Sequence, residues 1–597
     1  MKERLATVRL PSVLTDLISR IPLSDKLPGK PGEKVLLELD LGRGLAEAAP
    51  SNPIEAIRAL RTPLLRTLVE HLRKAARDDS VVGLIGIIPG DRTTMAQSDE
   101  LRAAVHEFGT SGKPTLAFSP TFGELLGGTV GYHLASAFDE IWLQPASGLG
   151  LVGFSAQATF LRGTLDKLGV QPEFGQRHEY KSAADLFTRS TLSEPHREML
   201  SRLVESATEQ FVADVATDRG LDADVVRQAL ADAPLTPEDA VERGLIDHVG
   251  YRDEAYTAMR ERVVVTEPTL RYVERHGVSR FDAVLQQLPK PSTKPRIALI
   301  EAIGPIDVGH AGPGPGGPRI GSDSLGAALR AAAKDDHVTG VVLRIDSPGG
   351  SAVASDSIRR DVQQVRAAGK PVVASMASVA ASGGYYIAMP CERIVAAPGT
   401  ITGSIGVLAG KFVIRDALGK IGINRELIAG APRATMFSAQ TPFDEEEWAI
   451  LDAWLDRIYA DFTAKAAADR GMPLEDLQAV AKGRVWTGAD ALERGLVDRL
   501  GGLDAAIAET CALLGVDRRD VHVAPFPKPH PLAAFQPPES SESVQAAVAP
   551  WPAEGPRIWQ TLMAGLQEVA GWHTPGVLSL PPVHLPGLLP GGRPSGG

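Results

Sequence analysis

The chain has 597 residues, of which 44% are hydrophobic and 23% charged, with a formal net charge of −11 and two cysteines. Because single hydrophobic cores stop growing near about 250–300 residues, this length predicts at least two domains. Acidic and basic residues are interspersed, which argues against a nucleic-acid partner, and Cys391 and Cys511 are too distant in sequence for a disulfide framework or a cysteine metal site.

Residues 1–28 are predicted to form an N-terminal segment with amphipathic character. Apolar positions are interspersed with basic ones, but Pro11 interrupts any long helix. No window of the chain approaches the about 18–20 apolar residues of a membrane span, and the start lacks the apolar region of a secretory signal. We therefore expect a cytoplasmic protein, in which residues 1–28 either dock on their own domain or contact the inner membrane peripherally.

Residues 29–250 and 291–501 repeat one pattern, which predicts a tandem duplication. In each copy, strand patterns alternate with helical ones, as in βαβ units that build a parallel sheet. The predicted fold class is therefore α/β, a tandem duplication of one βαβ domain with mostly parallel sheets. The paired elements are Lys34–Leu39 and Arg296–Glu301, Val81–Ile88 and Gly340–Ile345, Thr115–Phe118 and Val372–Ser375, Ile141–Gln144 and Ile394–Ala396, and the closing helices Pro195–Asp218 and Asp444–Arg470.

The domain boundaries follow from these patterns and from changes in composition. The run 312–318 is rich in Gly and Pro and is expected to be a flexible insertion near the start of the second domain. The end of the chain is rich in Pro, Ser and Ala, which predicts a disordered tail with a short helix at Ile558–Trp572. The predicted segments are 1–28, a first domain at 29–250, a linker at 251–290, a second domain at 291–525 and the tail at 526–597.

Three glycine-rich loops follow predicted strands of the second copy: Asp346–Ser351, Ala381–Tyr386 and Thr402–Val407. Ligands of an open parallel sheet bind beyond the carboxyl ends of its strands, so the three loops are expected to gather at one site. The first copy keeps the strands but not these loops, and Leu151 stands where the second copy has Ser404. Only the second copy therefore offers a hydroxyl at this position.

The opposite difference lies further along the repeat, where Lys181 of the first copy aligns with Ala434 of the second. A serine hydroxyl needs a base to become a good nucleophile, and a desolvated lysine with a lowered pKa can act as one. We therefore expect Lys181 and Ser404 to meet at the domain interface. Each domain would then hold half of a catalyst, so that neither domain alone would cleave a substrate.

Gly349 and Gly350 are the candidates for an oxyanion hole. Attack on an amide carbonyl builds negative charge on oxygen, which preorganised backbone N–H groups stabilise. Glycines allow the backbone to approach a substrate closely, and Ser351 would open the next helix, whose N-terminal amides also favour negative charge. The histidines are scattered without paired ligand spacing, so that neither a metal ion nor another cofactor is expected.

The motifs Ser347–Ser351, Ala381–Tyr386, Thr402–Gly406 and Tyr180–Ala183 resemble those of the long, tandem-domain signal peptide peptidases of the S49 serine peptidase family. The resemblance implies a crotonase/ClpP-like fold with Ser404 as nucleophile and Lys181 as general base. It also implies a bowl-shaped homo-oligomer, a tetramer in the long form, that degrades signal-peptide remnants. The leading hypothesis is an ATP-independent Ser/Lys endopeptidase for short or unfolded apolar peptides. The long bacterial form usually begins with a membrane anchor, which is not predicted here.

Other interpretations stay open at this point. Ser351 and Ser382 are rival nucleophiles, although a helix-capping role explains each of them better. His178 is a rival base for which no partner carboxylate can be assigned. A crotonase-type acyl-CoA enzyme would use similar glycine-rich amides without needing the serine and the lysine together. A non-catalytic, membrane-associated scaffold is the third hypothesis, against which the presence of Ser404 and Lys181 counts.

Overall fold

Two β-sheets with helices packed against them form the framework of the chain, and each sheet belongs to one copy of the repeat. The structure is a computed structural model that describes residues 33–47, 62–123, 127–263, 265, 267–276, 294–314 and 317–527, together with 578–579 and 583–584. The predicted segment 1–28 and the predicted helix Ile558–Trp572 lie outside the described residues. No helix within the described ranges is long and apolar enough to cross a lipid bilayer.

The elements of the first copy follow the alternating order predicted from the sequence. Its strands are β1 (Val35–Asp40), β2 (Val81–Ile87), β3 (Thr115–Ser119), β4 (Glu140–Leu143), β5 (Gln157–Ala158), β6 (Gln171–Arg177), β7 (His248–Val249) and β8 (Thr269–Tyr272). Its helices are α1 (Leu65–Ala76), α2 (Met95–Gly109), α3 (Thr129–Ala135), α4 (Arg162–Leu168), α5 (Asp185–Thr188), α6 (Glu194–Arg219), α7 (Ala223–Asp232), α8 (Pro237–Glu242) and α9 (Arg252–Arg262). Short 3₁₀ turns lie at Leu41–Arg43, Ser182–Ala184 and Val273–Arg275.

The second copy and the end of the chain carry the remaining described elements. The strands are β9 (Arg296–Ile303), β10 (Ile306–Asp307), β11 (Gly312–Gly314), β12 (Gly317–Gly321), β13 (Val338–Ser347), β14 (Gly349–Gly350), β15 (Val372–Ala381), β16 (Arg393–Ala396), β17 (Ile401–Gly403), β18 (Val407–Val413), β19 (Val485–Thr487), β20 (Arg499–Leu500), β21 (His522–Pro525), β22 (Leu578–Ser579) and β23 (Val583–His584). The helices are α10 (Ser322–Lys334), α11 (Ala352–Ala367), α12 (Gly383–Ala388), α13 (Arg415–Lys420), α14 (Glu445–Arg470), α15 (Leu474–Val480), α16 (Gly488–Glu493) and α17 (Leu503–Leu514), with a 3₁₀ turn at Arg518–Asp520.

Both sheets share one strand order. The first runs β7-β4-β3-β2-β1-β8, and in the second the series β20-β16-β15-β13-β9-β21 repeats it, with every neighbouring pair parallel. The second sheet is extended beside β15 by β17 and by β19, which runs antiparallel to β17. These pairings confirm the predicted tandem α/β fold with mostly parallel sheets.

Helix α9 and strand β8, which lie in the predicted linker 251–290, are part of the layers of the first sheet. Strand β8 pairs with β1 at the sheet edge, and α9 packs on the apolar side chains of Leu36, Ile85 and Leu116. Strand β21 and α17 occupy the same places in the second copy. The similarity between the two copies in sequence ends near residue 250, so the domain boundary was predicted there. One face of the first sheet still needs a covering layer, which α9 supplies beyond that boundary.

Short strands outside the main sheets connect distant parts of the chain. Strands β6 and β18 form an antiparallel ribbon between the two copies, from the pair Val407 and Arg177 to the pair Val413 and Gln171. The described residues of the Gly/Pro run 312–318, which was predicted to be a flexible insertion, lie in the antiparallel pair of β11 and β12. Most of the predicted tail lies outside the described residues, but its strands β22 and β23 pair with β14 and β5, respectively.

Candidate active site

Lys181 of the first copy and Ser404 of the second lie side by side at the interface between the copies. The Lys181 Nζ atom is 3.0 Å from Ser404 Oγ, 2.9 Å from the Ser404 carbonyl oxygen and 2.7 Å from Ser382 Oγ. All three residues are fully buried. The two side chains that the sequence predicted to meet are therefore within hydrogen-bond distance of each other inside one chain.

The ribbon of β6 and β18 brings the two residues together. Strand β6 ends at Arg177, shortly before Lys181, and β18 begins at Val407, shortly after Ser404. Val407 and Arg177 are direct partners in the ribbon. Arg177 is held in turn by α14, where its guanidinium lies 2.9 Å from the carboxylate of Asp452. Because the register of the ribbon is fixed, the segments that carry the two residues stay adjacent.

Gly483 of the second copy packs directly against Lys181. The Ser404 N–H donates to the carbonyl of Arg484 at 2.7 Å, which ties the Ser404 loop to the segment that contains Gly483. Gly483 has φ +82°, and a Cβ added to it would lie 2.5 Å from Lys181 Cβ. Only glycine allows this approach, so that the backbone of Lys181 is packed directly against the second copy.

Burial alone holds the pKa of Lys181 well below the ordinary value of a lysine. Within the described residues its amine contacts serine oxygens and no carboxylate. A neutral amine has two N–H donors and one lone pair. The Ser404 carbonyl and Ser382 Oγ can accept the two N–H bonds, which leaves the lone pair for the Ser404 hydroxyl. The geometry thus allows Ser404 to give its proton to Lys181.

Ser382 lies in the candidate site, although the sequence pattern favoured a helix-capping role for it. It precedes α12, but its side chain makes no capping hydrogen bond and contacts the Lys181 amine instead, so the helix-cap interpretation is wrong. Ser382 has φ +57° and Ser404 has φ +52°, both in the left-handed region that non-glycine residues seldom adopt. The signal available in the sequence was the position of Ser382 at the carboxyl end of a strand, beside the other glycine-rich loops.

The three glycine-rich loops gather beyond β13, β15 and β17, as expected for an open parallel sheet. A Cβ added to Gly383 would lie 3.1 Å from both Gly349 Cα and Gly350 N, so that the first two loops are in direct contact. The Ser382 N–H donates to the carbonyl of Gly403 at 2.8 Å, which joins the second loop to the third. Gly349 and Gly350 therefore lie against Gly383, the residue that follows Ser382 in the chain.

The backbone of Gly349 and Gly350 forms a short strand. The Gly349 N–H donates to Ser347 Oγ at 3.2 Å, and Gly350 pairs with Ile306, whose carbonyl oxygen would be 2.0 Å from an added Cβ. Such close packing excludes any side chain at residue 350. The role of these two residues as an oxyanion hole stays a prediction.

The rival residues from the sequence have other contacts. His178 packs edge-on against the ring of Tyr459 at a centroid distance of 4.4 Å. Ser351 Oγ accepts a hydrogen bond from the Ala354 N–H at 3.3 Å, and so caps α11. Among their described hydrogen bonds, the Lys181 and Ser404 side chains have no imidazole partner.

The repeat counterparts of the two central residues have no such contact. Leu151, at the position of Ser404, is fully buried in the core of the first copy. Ala434, at the position of Lys181, is exposed in an irregular segment between α13 and α14. The two copies have therefore diverged in backbone as well as in side chain.

One cluster of potential metal ligands occurs among the described residues, formed by Asp99, His133 and Asp214. Both ring nitrogens of His133 already make hydrogen bonds, at 2.9 Å to Ser98 Oγ and 2.8 Å to Asp214. Asp99 accepts from the Gly399 N–H at 2.9 Å, and burial raises its pKa to about 7. These bonds engage the side chains, so that the cluster is best explained as a hydrogen-bond network between the copies.

Sequence comparison matches the chain to a family model, peptidase family S49, over residues 108–266 and 364–517. The chloroplastic serine protease SPPA of Arabidopsis thaliana is 34% identical over 449 residues, which are 74% of this chain and 65% of that protein. Protease 4 of Salmonella typhi is 32% identical over 459 residues, 75% of this chain and 71% of that protein. A putative signal peptide peptidase SppA of Enterococcus faecium is 31% identical over 179 residues, 30% of this chain and 52% of that protein. These matches support a peptidase over the acyl-CoA enzyme and the scaffold, and the chain belongs to peptidase family S49 as a serine-type endopeptidase.

Proposed function

We propose that Ser404 is the nucleophile and Lys181 the general base of this peptidase. The observation that carries the proposal is the 3.0 Å separation of Lys181 Nζ and Ser404 Oγ at a fully buried amine. The Ser404 proton passes to the neutral amine while Oγ attacks the substrate carbonyl. The resulting ammonium then protonates the leaving amine, and an acyl-enzyme remains. A water molecule, deprotonated by the same amine, attacks the ester, and the returning proton frees Ser404.

The oxyanion of each tetrahedral intermediate needs donors next to Ser404. We assign this role to the backbone of Gly349 and Gly350, because their loop contacts Gly383 beside Ser382. Preorganised donors of this kind are worth about 10²–10³ in rate. Ser382 accepts one N–H of the amine and so orients its lone pair toward Ser404.

The test compares hydrolysis of a fluorogenic peptide by the wild type with hydrolysis by Ser404→Ala and Lys181→Ala. We expect each variant to lose activity by at least about 10³-fold, because nucleophile and base act as one unit. Ser357→Ala and Lys74→Ala, at positions outside the site, are the matched controls and should retain full activity. Near-full activity in either site variant would show that the dyad assignment is wrong.

The substrates are proposed to be short or unfolded apolar peptides, such as signal-peptide remnants, cut without ATP. A fully buried dyad is reached most readily by an extended chain, and one similar protein is named a signal peptide peptidase. Mass spectrometry of products should find cuts in unfolded casein, at unchanged rate with ATP added, and none in a folded, disulfide-bonded protein. Equal cleavage of both substrates would contradict this substrate class.

Residues 421–437 support a homo-oligomer, a tetramer by resemblance to the family. The apolar side chains of this segment are between 43% and 100% exposed, at Ile421, Ile423, Leu427, Ile428 and Phe437. In the repeat, Asn424–Gly430 corresponds to β6, yet it pairs with no strand in the described part of the chain. A second copy of the chain can cover such an apolar patch.

Light scattering of the purified chain tests this assembly. The wild type should have four times the mass of the chain, and the double variant Leu427→Asp/Ile428→Asp should dissociate. The control Leu474→Asp/Leu513→Asp changes two exposed leucines elsewhere and should leave the mass unchanged. An unchanged mass in the first variant would exclude the segment from the interface.

A further inference from the structure

The strand Gly349–Gly350 has a neighbour on each side. On one side Gly350 pairs with Ile306, and the Ser351 N–H donates to the Ile306 carbonyl at 2.8 Å. On the other side β22 of the C-terminal tail runs antiparallel, with Gly349 opposite Ser579 and Gly350 opposite Leu578. Strand β22 also lies against β18, which begins just after Ser404. The backbone of β22 therefore lies directly beside the loops that surround Ser404.

A second tail strand is anchored on the first copy of the repeat. Strand β23 (Val583–His584) runs antiparallel to β5 (Gln157–Ala158). The segment after β5 is tied to the helix that follows Lys181, because the Leu161 N–H donates to the Leu186 carbonyl at 2.6 Å. The Cα atoms of Ser579 and Val583 can be at most about 15 Å apart along the chain. The two described tail strands thus contact both copies, β22 the copy that carries Ser404 and β23 the copy that carries Lys181.

Antiparallel addition to an exposed strand edge is a general way in which proteins bind extended peptides. A substrate that bound to Gly349–Gly350 in this way would need the same backbone groups that face β22. Only one chain can occupy this edge at a time. Because the tail is covalently attached, its docking is intramolecular and competes effectively even when its intrinsic affinity is modest.

We propose that tail strands β22 and β23 occupy the substrate-binding edge and inhibit peptide hydrolysis competitively, as an intramolecular mimic of the substrate. The inference rests on the proposed function, in that the edge beside Ser404 is the one that substrates use. A peptide substrate must displace the tail before its carbonyl can reach Ser404. The apparent KM is then higher than that of an enzyme whose tail cannot dock, while kcat at saturation is the same.

The test uses the full chain with Leu578→Pro/Ser579→Pro, which removes both N–H groups of β22 and so prevents strand pairing. The control Ser541→Pro/Ser543→Pro places two prolines in the tail far before β22 in the sequence. We expect the first variant to hydrolyse a fluorogenic peptide with a KM lower by about tenfold and an unchanged kcat. The control should behave as the wild type, and a synthetic peptide of residues 576–586 should restore the higher KM of the first variant.

Hydrogen exchange supplies a readout that does not depend on catalysis. In a Ser404→Ala background, the amide of Gly350, which lies opposite Leu578, should exchange more slowly with the native tail than with the Leu578→Pro/Ser579→Pro tail. An equal KM in wild type and variant would overturn the inhibition, and equal exchange would overturn the docking. Cleavage of the wild-type tail within residues 578–584 would also overturn the inhibition, since the tail would then be a substrate. Full hydrolysis by Ser404→Ala would instead refute the proposed function, while the exchange comparison would still decide the docking.

Discussion

At the scale of single residues, the candidate site is arranged around an amine whose charged form is disfavoured by burial. Lys181 is fully buried among serine oxygens, and its pKa is held well below the ordinary lysine value because the charged form is desolvated. No carboxylate partner offsets this effect among the described contacts of the amine. Such an environment makes a lysine a base instead of a cation, which is the property that a serine nucleophile requires.

Activity and stability should both depend on pH through Lys181. Because the base is the neutral amine, kcat/KM should rise with pH through the lowered pKa and then level off. The folded state binds fewer protons than the unfolded state at pH values between the lowered pKa and the ordinary one, so that stability rises with pH over this window. Lys181→Met should therefore be inactive but more stable than the wild type at neutral pH, with a gain in Tm that shrinks as the pH approaches 10. A flat activity profile from mildly acidic to alkaline pH would contradict a lysine base.

Ser382 should act as a positioning residue. Ser382→Ala removes one acceptor of the amine and lets its lone pair turn away from Ser404, so that kcat should fall by about 10–10² with little change in KM. Ser378→Ala is a matched control, because Ser378 is a buried serine of β15, the strand that ends just before Ser382, and its side chain contacts Thr94 at 2.7 Å instead of the lysine. A KM effect without a kcat effect for Ser382→Ala would argue against positioning.

The meeting of Lys181 and Ser404 could be predicted because the repeat exposes a mismatch at each position. The contact between Ser382 and the Lys181 amine could not be predicted, because a serine before a short helix looks like an ordinary helix cap in the sequence. The backbone of Ser382 is left-handed, and its N–H donates to the carbonyl of Gly403 at the end of β17. A contact with a distant strand of this kind leaves no local pattern in the sequence.

At the scale of elements, the main strands follow directly from the apolar patterns. The predicted strand Val81–Ile88 ends one residue later than β2, and the predicted helix Asp444–Arg470 matches α14 closely. The ribbon of β6 and β18 was not predicted, because pairing between copies leaves no local signal. Strand β8 was not predicted either, because its side chains are half exposed and it pairs only with β1 at the edge of the first sheet.

Gly483 shows how one loop of the second copy positions the lysine of the first. Gly483→Ala places a Cβ 2.5 Å from Lys181 Cβ at a residue with φ +82°. We expect activity to fall by more than about tenfold and the free energy of unfolding by about 1–3 kcal/mol, because backbone must shift to relieve the clash. The measurements are peptide hydrolysis and urea denaturation.

Gly471→Ala is the matched control for this change. Gly471 ends α14 with φ +63°, and an added Cβ would meet nothing within 4 Å. This variant should lose about 1 kcal/mol through backbone strain alone and keep its activity. If both variants lose the same stability and neither loses activity, close packing against Lys181 does not position the amine.

At the scale of the whole molecule, the two copies are joined by a shared interior. The core of the first copy includes Val379, Ile401 and Val485 of the second. Near this interface Arg344 of the second copy contacts Glu100 at 2.6 Å and Glu47 at 2.5 Å. Burial acts to lower the pKa of Arg344, but the two carboxylates outweigh it and raise this pKa above the ordinary value. Burial also raises the pKa of Glu100. A site built from both copies requires such a fixed interface.

Removing Arg344 should destabilise this interface in a pH-dependent way. Arg344→Met leaves Glu100 buried without its cation, a change that typically costs about 3–5 kcal/mol. The pKa of Glu100 then lies still further above its value in the unfolded chain, so that the variant is less destabilised at acidic pH and more so as the pH rises. Hydrolysis should be lost at the same denaturant concentration as the fold, because the dyad separates with the copies.

Arg393→Met breaks a half-exposed pair with Glu509 at 3.5 Å and should change stability by less than about 1 kcal/mol. Equal and pH-independent losses in the two variants, measured by urea denaturation at pH 5 and pH 8, would show that the buried ion pair does not hold the copies together.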